Sequence, residues 1–452
     1  MFIKDMKPLF FLIIVLFAAP WLYAQTPVNQ QASIPASPTL QDFVNYALAN
    51  HANVQQALID EEIGERDIAA ALSGWFPQIS ANGNYNYNVK TPTTVFGDQV
   101  ISLGQKHSTN VTFQADQKIL DPSLLQASKA AKYVRQQNAQ NTQNWRINTV
   151  VSVSKAYYDV LSSEEQLNII KENIARIQKQ LSDAKARYQT GIVDNTDFKR
   201  AQITLSNSQA DLKRTQEELK YKYAYLKELI GLNGEVGFKV SFDNNNMESE
   251  IALDTMQQIN YESRIEYQQL LTQRKLQQIN TQYNKWTFLP TLSAFYNYAL
   301  DYRNNAFKNM FDRDYPSSVA GLTLSLPIFQ GTKRLQEIRK SKLQEQRVDW
   351  DIVNLKNQIN TQYQSAMATY KSNLNDWKTA KQNVELSKEV YGTIKLQYDE
   401  GIKTYLDLMT AETDLRTTQI NYLNALYAVL SAKMDVEQAL GTVYINDTPN
   451  LR

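Results

Sequence analysis

Tyr188, Gly191, Ile192, Asp197 and Phe198 recur 210 positions later as Tyr398, Gly401, Ile402, Asp407 and Leu408. The match continues without a gap through Ala201 and Ala411, Leu205 and Leu415, and Gln209 and Gln419, to Gly231 and Gly441. One duplication this long means two copies of a single structural unit rather than a solenoid of many small repeats. The chain must fold as a half, doubled.

Proline and glycine mark where the helices stop. Residues 123–190 contain neither and are rich in Gln, Ala, Lys, Leu and Glu, a composition that favours helix throughout. Residues 332–400 repeat this with one interruption, Gly392. Each run would make a rod of about 100 Å. Shorter helical runs are expected at 39–73, 192–230, 247–286 and 402–440. Within them Phe198, Leu205, Leu212, Leu219 and Leu226 fall seven apart, as do Leu408, Leu415, Tyr422, Val429 and Val436. A sustained seven-residue apolar period is a coiled-coil seam, with an ordinary antiparallel hairpin core sharing the same physics.

Between these runs the period drops to two. Ile79, Ala81, Gly83, Tyr85 and Tyr87 alternate with polar residues, and Leu292, Ala294, Tyr296 and Tyr298 do so less strictly. Return strands follow, with Leu322, Leu324, Leu326 and Ile328 in one half and Val111, Phe113, Ala115 and Ile119 in the other. Such alternation suits a barrel strand with one face toward lipid and the other toward water, and also a half-buried strand of a soluble protein. Trp75 and Trp286 precede the first strands, where an aromatic girdle would lie. Four strands cannot close a barrel, and open edges are not tolerated in hydrocarbon. Copies of the chain would then share one barrel: a dimer reaches the minimum with a filled lumen, and a trimer gives about 12 strands with room for water.

Lys4 and Lys7, the apolar run Leu9 to Ala19, and Ala24 read as a secretory signal over residues 1–24. Residues 25–38, rich in Pro, Gln and Ser, read as a linker. Cysteine is absent, which excludes disulfides, thiolate metal sites and a lipidated cysteine. Lys and Arg number 47 against 46 Asp and Glu, a balance giving no sign of a nucleic-acid partner. No nucleophile elbow, P-loop or zincin motif is present. His51, expected within a helix, and His107, expected in an extracellular loop, are the only histidines and read as surface or packing residues.

The paired Tyr-x-x-Gly-Ile segments, the entries Phe76-Pro77-Gln78-Ile79-Ser80 and Leu289-Pro290-Thr291-Leu292-Ser293, and the exit Leu326-Pro327-Ile328-Phe329-Gln330-Gly331 together resemble the outer membrane efflux protein family of TolC-like ducts. The resemblance covers the whole mature chain. It implies an α+β membrane protein: long antiparallel α-helical hairpins form a periplasmic α-barrel, and four strands per chain enter a shared 12-stranded trimeric outer-membrane β-barrel. Residues 39–246 and 247–441 would be the two repeats, with strands at about 78–120 and 288–330 and a tail at 442–452. The shorter helices would stack end to end in pairs, 39–73 with 192–230 and 247–286 with 402–440. Residues 232–246 and the tail would contribute to an equatorial belt.

The implied function is a passive exit duct of a tripartite efflux or type I secretion system. Its partners would be two further copies, a periplasmic adaptor (membrane fusion) protein, an inner-membrane transporter of RND or ABC type, and outer-membrane lipid. No cofactor or metal is expected. The turns at Gly191, Ile192, Gly401 and Ile402 would meet the adaptor, while a glycine there also serves to end a helix. Asp407 and Thr410, with Asp197, would line the closed aperture; as first-turn carboxylates, Asp197 and Asp407 equally suit the helix dipole. Thr196 and Asp197 on one hairpin and Tyr398 and Lys403 on the other would hold neighbouring tips shut. Lys403 stands where an arginine is usual, which weakens any bidentate lock. The competing classes are a structural coiled-coil envelope protein, which needs no alternating hairpins, and an envelope enzyme, which lacks a site.

Overall fold

A computed structural model describes residues 34–35, 37–191, 195–232, 237–240 and 244–445. The expected signal segment 1–24, Ile192, and parts of the linker, the belt and the tail lie outside the described residues. The first repeat runs α1 (Leu40–Asn50), α2 (Ala52–Leu72), β1 (Gln78–Tyr87), β2 (Thr93–Phe96), β3 (Gln99–Ser102), β4 (His107–Leu120), α3 (Pro122–Gln189) and α4 (Asn195–Ile230). The second runs α5 (Asn244–Ser249), α6 (Ile265–Trp286), β5 (Thr291–Asn304), β6 (Asp314–Ser325), α7 (Lys333–Asp399) and α8 (Tyr405–Leu440). Among the described residues no helix is long and apolar enough to cross a membrane.

Local chemistry starts and stops these elements. Thr39 and Thr404 form capping boxes with Asp42 and Asp407 at the starts of α1 and α8. Asp121 accepts from the amides of Ser123 and Leu124, and Pro122, lacking an N–H, opens α3 without leaving a donor unpaired. α3 has 68 residues and α7 has 67, so each extends about 100 Å. The seven-residue seam is interior: Leu226, Val429 and Val436 are buried, within a core that also takes Phe43, Val153 and Tyr370.

Two expected helices differ. The run 39–73 breaks at His51, whose backbone is extended, so this residue caps α2 instead of lying inside a helix. The run 247–286 becomes helical for its whole length only from Ile265; before that Asn260 accepts from the Glu262 amide and Asp254 from that of Met256. The Tyr370 and Tyr363 hydroxyls of α7 donate to the carbonyls of Ile251 and Gln257 at 2.9 and 2.8 Å. Absence of Gly and Pro permits a helix; here side chains offer the backbone other partners.

The two breaks are the same feature. Gly231 ends α4 at φ 73°, and a Cβ on it would lie 2.4 Å from the Asn50 carbonyl oxygen. Gly441 ends α8 at φ 72°, 2.6 Å by the same measure from that of Ser263. Each shorter inner helix therefore abuts the start of α2 or α6, and the duplication extends to this end-to-end joint.

The strands form one antiparallel sheet in the order β1-β4-β5-β6, with β2 and β3 a separate ribbon in the first hairpin's connection. His107 opens β4 rather than lying in a loop. Ile119 falls at an irregularity between Lys118 and Leu120, which leaves it unpaired and sets Leu120 opposite Leu292. Strand β6 stops at Ser325, since Pro327 has no amide for a ladder.

Beside the sheet, α2 packs on α3, α3 on α6 and α6 on α7, the same order as the strands they continue. Toward the far end the order becomes α4, α3, α8, α7. The wall is thus one layer of four helices, with α7 at one border along its whole length.

Candidate functional site

Register decides what the sheet can do. Partnered residues share a face. Ile79, Ala115, Tyr296 and Ala320 form one row, followed by Ala81, Phe113, Tyr298 and Ser318, then Gly83, Val111, Leu300 and Pro316. Leu292 and Leu324 extend this face. The opposite face carries Ser80, Gln114 and Asn297, then Asn82, Thr112 and Ala299, then Asn84, Asn110 and Asp301. Its side chains bond to one another: Asn110 donates to Asp301 at 2.9 Å, Thr112 to Asn110 at 2.6 Å, and Gln114 to Asp116 at 2.7 Å. Phe295 is an aromatic on that polar face, its ring seated over Gly321, where a Cβ would approach to 2.8 Å.

The apolar face is open, with Ile79 79% and Leu324 67% exposed. Water would penalise such a surface, whereas hydrocarbon would cover it without cost. Strands of 10 to 14 residues suffice to cross a bilayer at a tilt, for which about 9–11 are needed.

At the other end of the molecule the duplicated turns match in detail. Gly191 has φ 73° and Gly401 φ 75°, and each amide donates to the carbonyl of the tyrosine three residues before it at 3.0 Å. Ile402 projects into solvent, 72% exposed. Asp407 is engaged with its own helix start: its carboxylate accepts from the Thr404 amide at 3.0 Å and the Thr404 hydroxyl at 2.8 Å. Those bonds, with Lys403 nearby, hold its carboxyl below the usual range. Thr410 is exposed and donates to the Leu406 carbonyl at 2.9 Å.

Tyr398 is buried within its own chain, packed with Ala201, Tyr405 and Leu408. The Arg187 guanidinium lies 4.9 Å over its ring. Burial pushes its hydroxyl's pKa up, Arg187 opposes this, and the charge of Asp197 in the same chain adds to it. The structure therefore gathers Asp197 and Tyr398 at one tip, with Lys403 exposed beyond them and Thr196 exposed on α4.

Glu412 is the tip residue that the sequence reading missed. It is 4% exposed and accepts from Asn173 at 3.1 Å, Arg176 at 3.0 Å and Gln180 at 2.6 Å. This network joins α8 to α3, one hairpin to the other. Its sequence signal was available: Glu412 follows Tyr405 and Leu408 at helical spacing, a carboxylate on an apolar stripe. Burial pushes the neighbouring Tyr405 hydroxyl up to about 12, and Glu412 contributes to that rise.

An open sheet with one apolar and one polar face, continued by helical hairpins about 100 Å long, defines a wall segment of an α+β channel-tunnel. The outer membrane efflux protein profile matches residues 43–232 and 264–442, and the chain belongs to that family. It is 22% identical over 438 residues to the outer membrane protein TolC of Vibrio cholerae, covering 94% of this chain and 96% of that one. With the outer membrane efflux protein BepC of Brucella suis it shares 24% over 444 residues, 94% and 90% of the two chains. The Campylobacter jejuni CmeC outer membrane channel superposes with a TM-score of 0.70 at 15% identity, over 92% of this chain and 90% of that one. The protein is an outer membrane efflux channel, of a family of transporters rather than enzymes. A purely structural envelope rod would need no two-faced sheet.

Proposed function

We propose that three copies of this chain share one 12-stranded barrel and form the passive exit duct of a tripartite efflux or type I secretion machine. The observation that carries this reading is the open sheet: β1 and β6 are unpaired edges flanking an exposed apolar face. Hydrocarbon does not tolerate such edges, so β6 of one copy pairs with β1 of the next. The helices support the same closure. At one border α2 exposes Ile59 and Ile63, and α4 exposes Ile203 and Tyr221; at the other, α7 exposes Leu343, Trp350, Leu386 and Val390. Two different borders, each with exposed apolar residues, make a head-to-tail contact, which closes a ring when the rotation between copies divides a full turn.

The duct carries no motor of its own on this reading. An inner-membrane transporter supplies energy, and a periplasmic adaptor meets the tips at Gly191, Ile192, Gly401 and Ile402. Three copies of Asp407 face one another at the closed mouth, with Thr410 one turn further and Asp197 nearby. Tyr398, Lys403, Thr196 and Asp197 hold the tips together. The capping box of Asp407 is compatible with this, because a carboxylate held ionised by its own helix start remains a charge for cations to meet.

Mass measurement in detergent tests the assembly, with a trimer expected; a stable monomer or dimer would refute the shared barrel. In a planar bilayer the closed duct should pass small, cation-preferring currents. Asp407→Asn should reduce that preference, and unchanged selectivity would leave Asp407 as a helix-start residue alone.

A further inference from the structure

Three of the four helix ends beside the sheet are basic in a chain that is balanced as a whole. The fourth, α2, carries Asp60, Glu61, Glu62, Glu65 and Asp67 against Arg66, and its Glu65 pairs with Arg135 of α3 at 2.7 Å. From Pro122 to Tyr158 there is no acidic residue, while Lys129, Lys132 and Arg135 occupy the first turns of α3. After Glu266, no acid follows until Asp301, and Lys275 and Lys285 lie between. Lys333 and Arg334 open α7, with Glu337 the one acid before Glu345. Among the described residues Lys129, Lys132, Lys285 and Lys333 have no carboxylate partner.

Besides Lys132, which lies 6.0 Å from the ring centroid of its neighbour Tyr133, two basic side chains here lie on aromatic rings from another part of the chain. Lys129 Nζ lies 4.5 Å from the Trp286 ring centroid, and the Arg334 guanidinium lies 5.2 Å from that of Phe288. Phe288 and Leu289 are themselves 46% and 42% exposed. An exposed aromatic row with cations on its polar side belongs at a membrane boundary, where one end is apolar and the other wet. A water-filled lumen would give these aromatics no reason to be there.

Position along the wall agrees. Lys129 is seven residues from the start of α3, about 10 Å, against an interfacial zone of about 5–7 Å on each side of the hydrocarbon and a lysine stem able to reach back. Because α3 and α6 are the two central helices beside the sheet, their contact lies away from both borders that meet neighbouring copies.

We infer that Lys129, seated on Trp286, and Lys285, exposed one residue before that tryptophan on α6, bind the phosphate of an anionic phospholipid in the periplasmic leaflet, whose chains lie over Phe288 and Leu289. This rests on the outer-membrane duct reading for which side of the membrane it faces. A site central in each copy would make three per assembly. An acidic headgroup is the complementary charge, and phosphatidylglycerol is the appropriate probe.

Native mass spectrometry of the assembly, titrated with phosphatidylglycerol or phosphatidylcholine, reads oligomeric state and lipid number together. Phosphatidylglycerol should be retained more tightly than phosphatidylcholine. Lys129→Gln with Lys285→Gln should weaken it by about fivefold per lysine, about 25-fold for the pair, and weaken phosphatidylcholine, whose choline offsets the phosphate charge, far less. Lys129→Arg with Lys285→Arg should keep the preference. If the Gln pair does not assemble, raising the salt concentration on the native protein must erase the preference instead. Equal retention of both lipids by the native protein, or an undiminished preference in the Gln pair or in high salt, overturns the inference. A wrong mass for the assembly would instead overturn the shared barrel.

Discussion

Among the described residues seven glycines adopt positive φ, and the space around them separates two roles. Gly191 and Gly401 turn the tips with nothing near enough to meet a Cβ. Gly231 and Gly441 turn equally but press against the backbone of the next helix, at 2.4 and 2.6 Å. Alanine at Gly191 or Gly401 should cost about 1–2 kcal/mol for the left-handed conformation alone. At Gly231 or Gly441 it should cost about 1–3 kcal/mol more, because backbone must move. Thermal denaturation of the four variants in detergent checks the order; equal losses would show that the joint yields freely.

The strand faces provide the test at the level of elements. Tyr296 and Leu324 lie on the apolar face and Asn297 on the polar one. Arginine at Tyr296 or Leu324 should cost about 2–4 kcal/mol per copy near the bilayer midplane and block membrane assembly. Asn297→Arg should assemble, as measured by the trimer recovered from outer-membrane fractions. Equal recovery for both faces would mean that the faces are misassigned. These faces were legible in the sequence because side chains alternate with a period of two, whatever their partners are. The long helices were legible from composition and from missing breakers. The break at His51 and the irregular stretch before Ile265 were not, since both arise from contacts with remote residues, Gly231 and the α7 tyrosines. At the tip, duplication picked out Gly191, Gly401, Asp197 and Asp407. It was blind to Glu412 because the matching position in the first repeat is Gln202, so a motif search by repetition passes over it.

Across the whole molecule, the Glu412 network is the most buried polar fastening between the two hairpins near the tip, with the Arg416–Asp211 ion pair at 3.2 Å one turn further along α8. Glu412→Ala would leave Asn173, Arg176 and Gln180 without their shared acceptor. Since Arg176 keeps partial access to water, the cost should be about 1.5–3 kcal/mol per copy. Repeated around a ring, that should raise single-channel conductance while the barrel stays intact. Conductance equal to the native value, with the trimer preserved, would assign closure to packing around Tyr398 and Tyr405. The joints at Gly231 and Gly441 add a mechanical consequence. Of the four staves crossing any level of the wall, α3 and α7 are unbroken, and the other two are spliced near mid-height. A splice transmits compression but little twist. In the proposed duct, rotation of the lower hairpins would reach the sheet through two continuous rods per copy instead of four, so less of any movement at the tips would be carried to the strands.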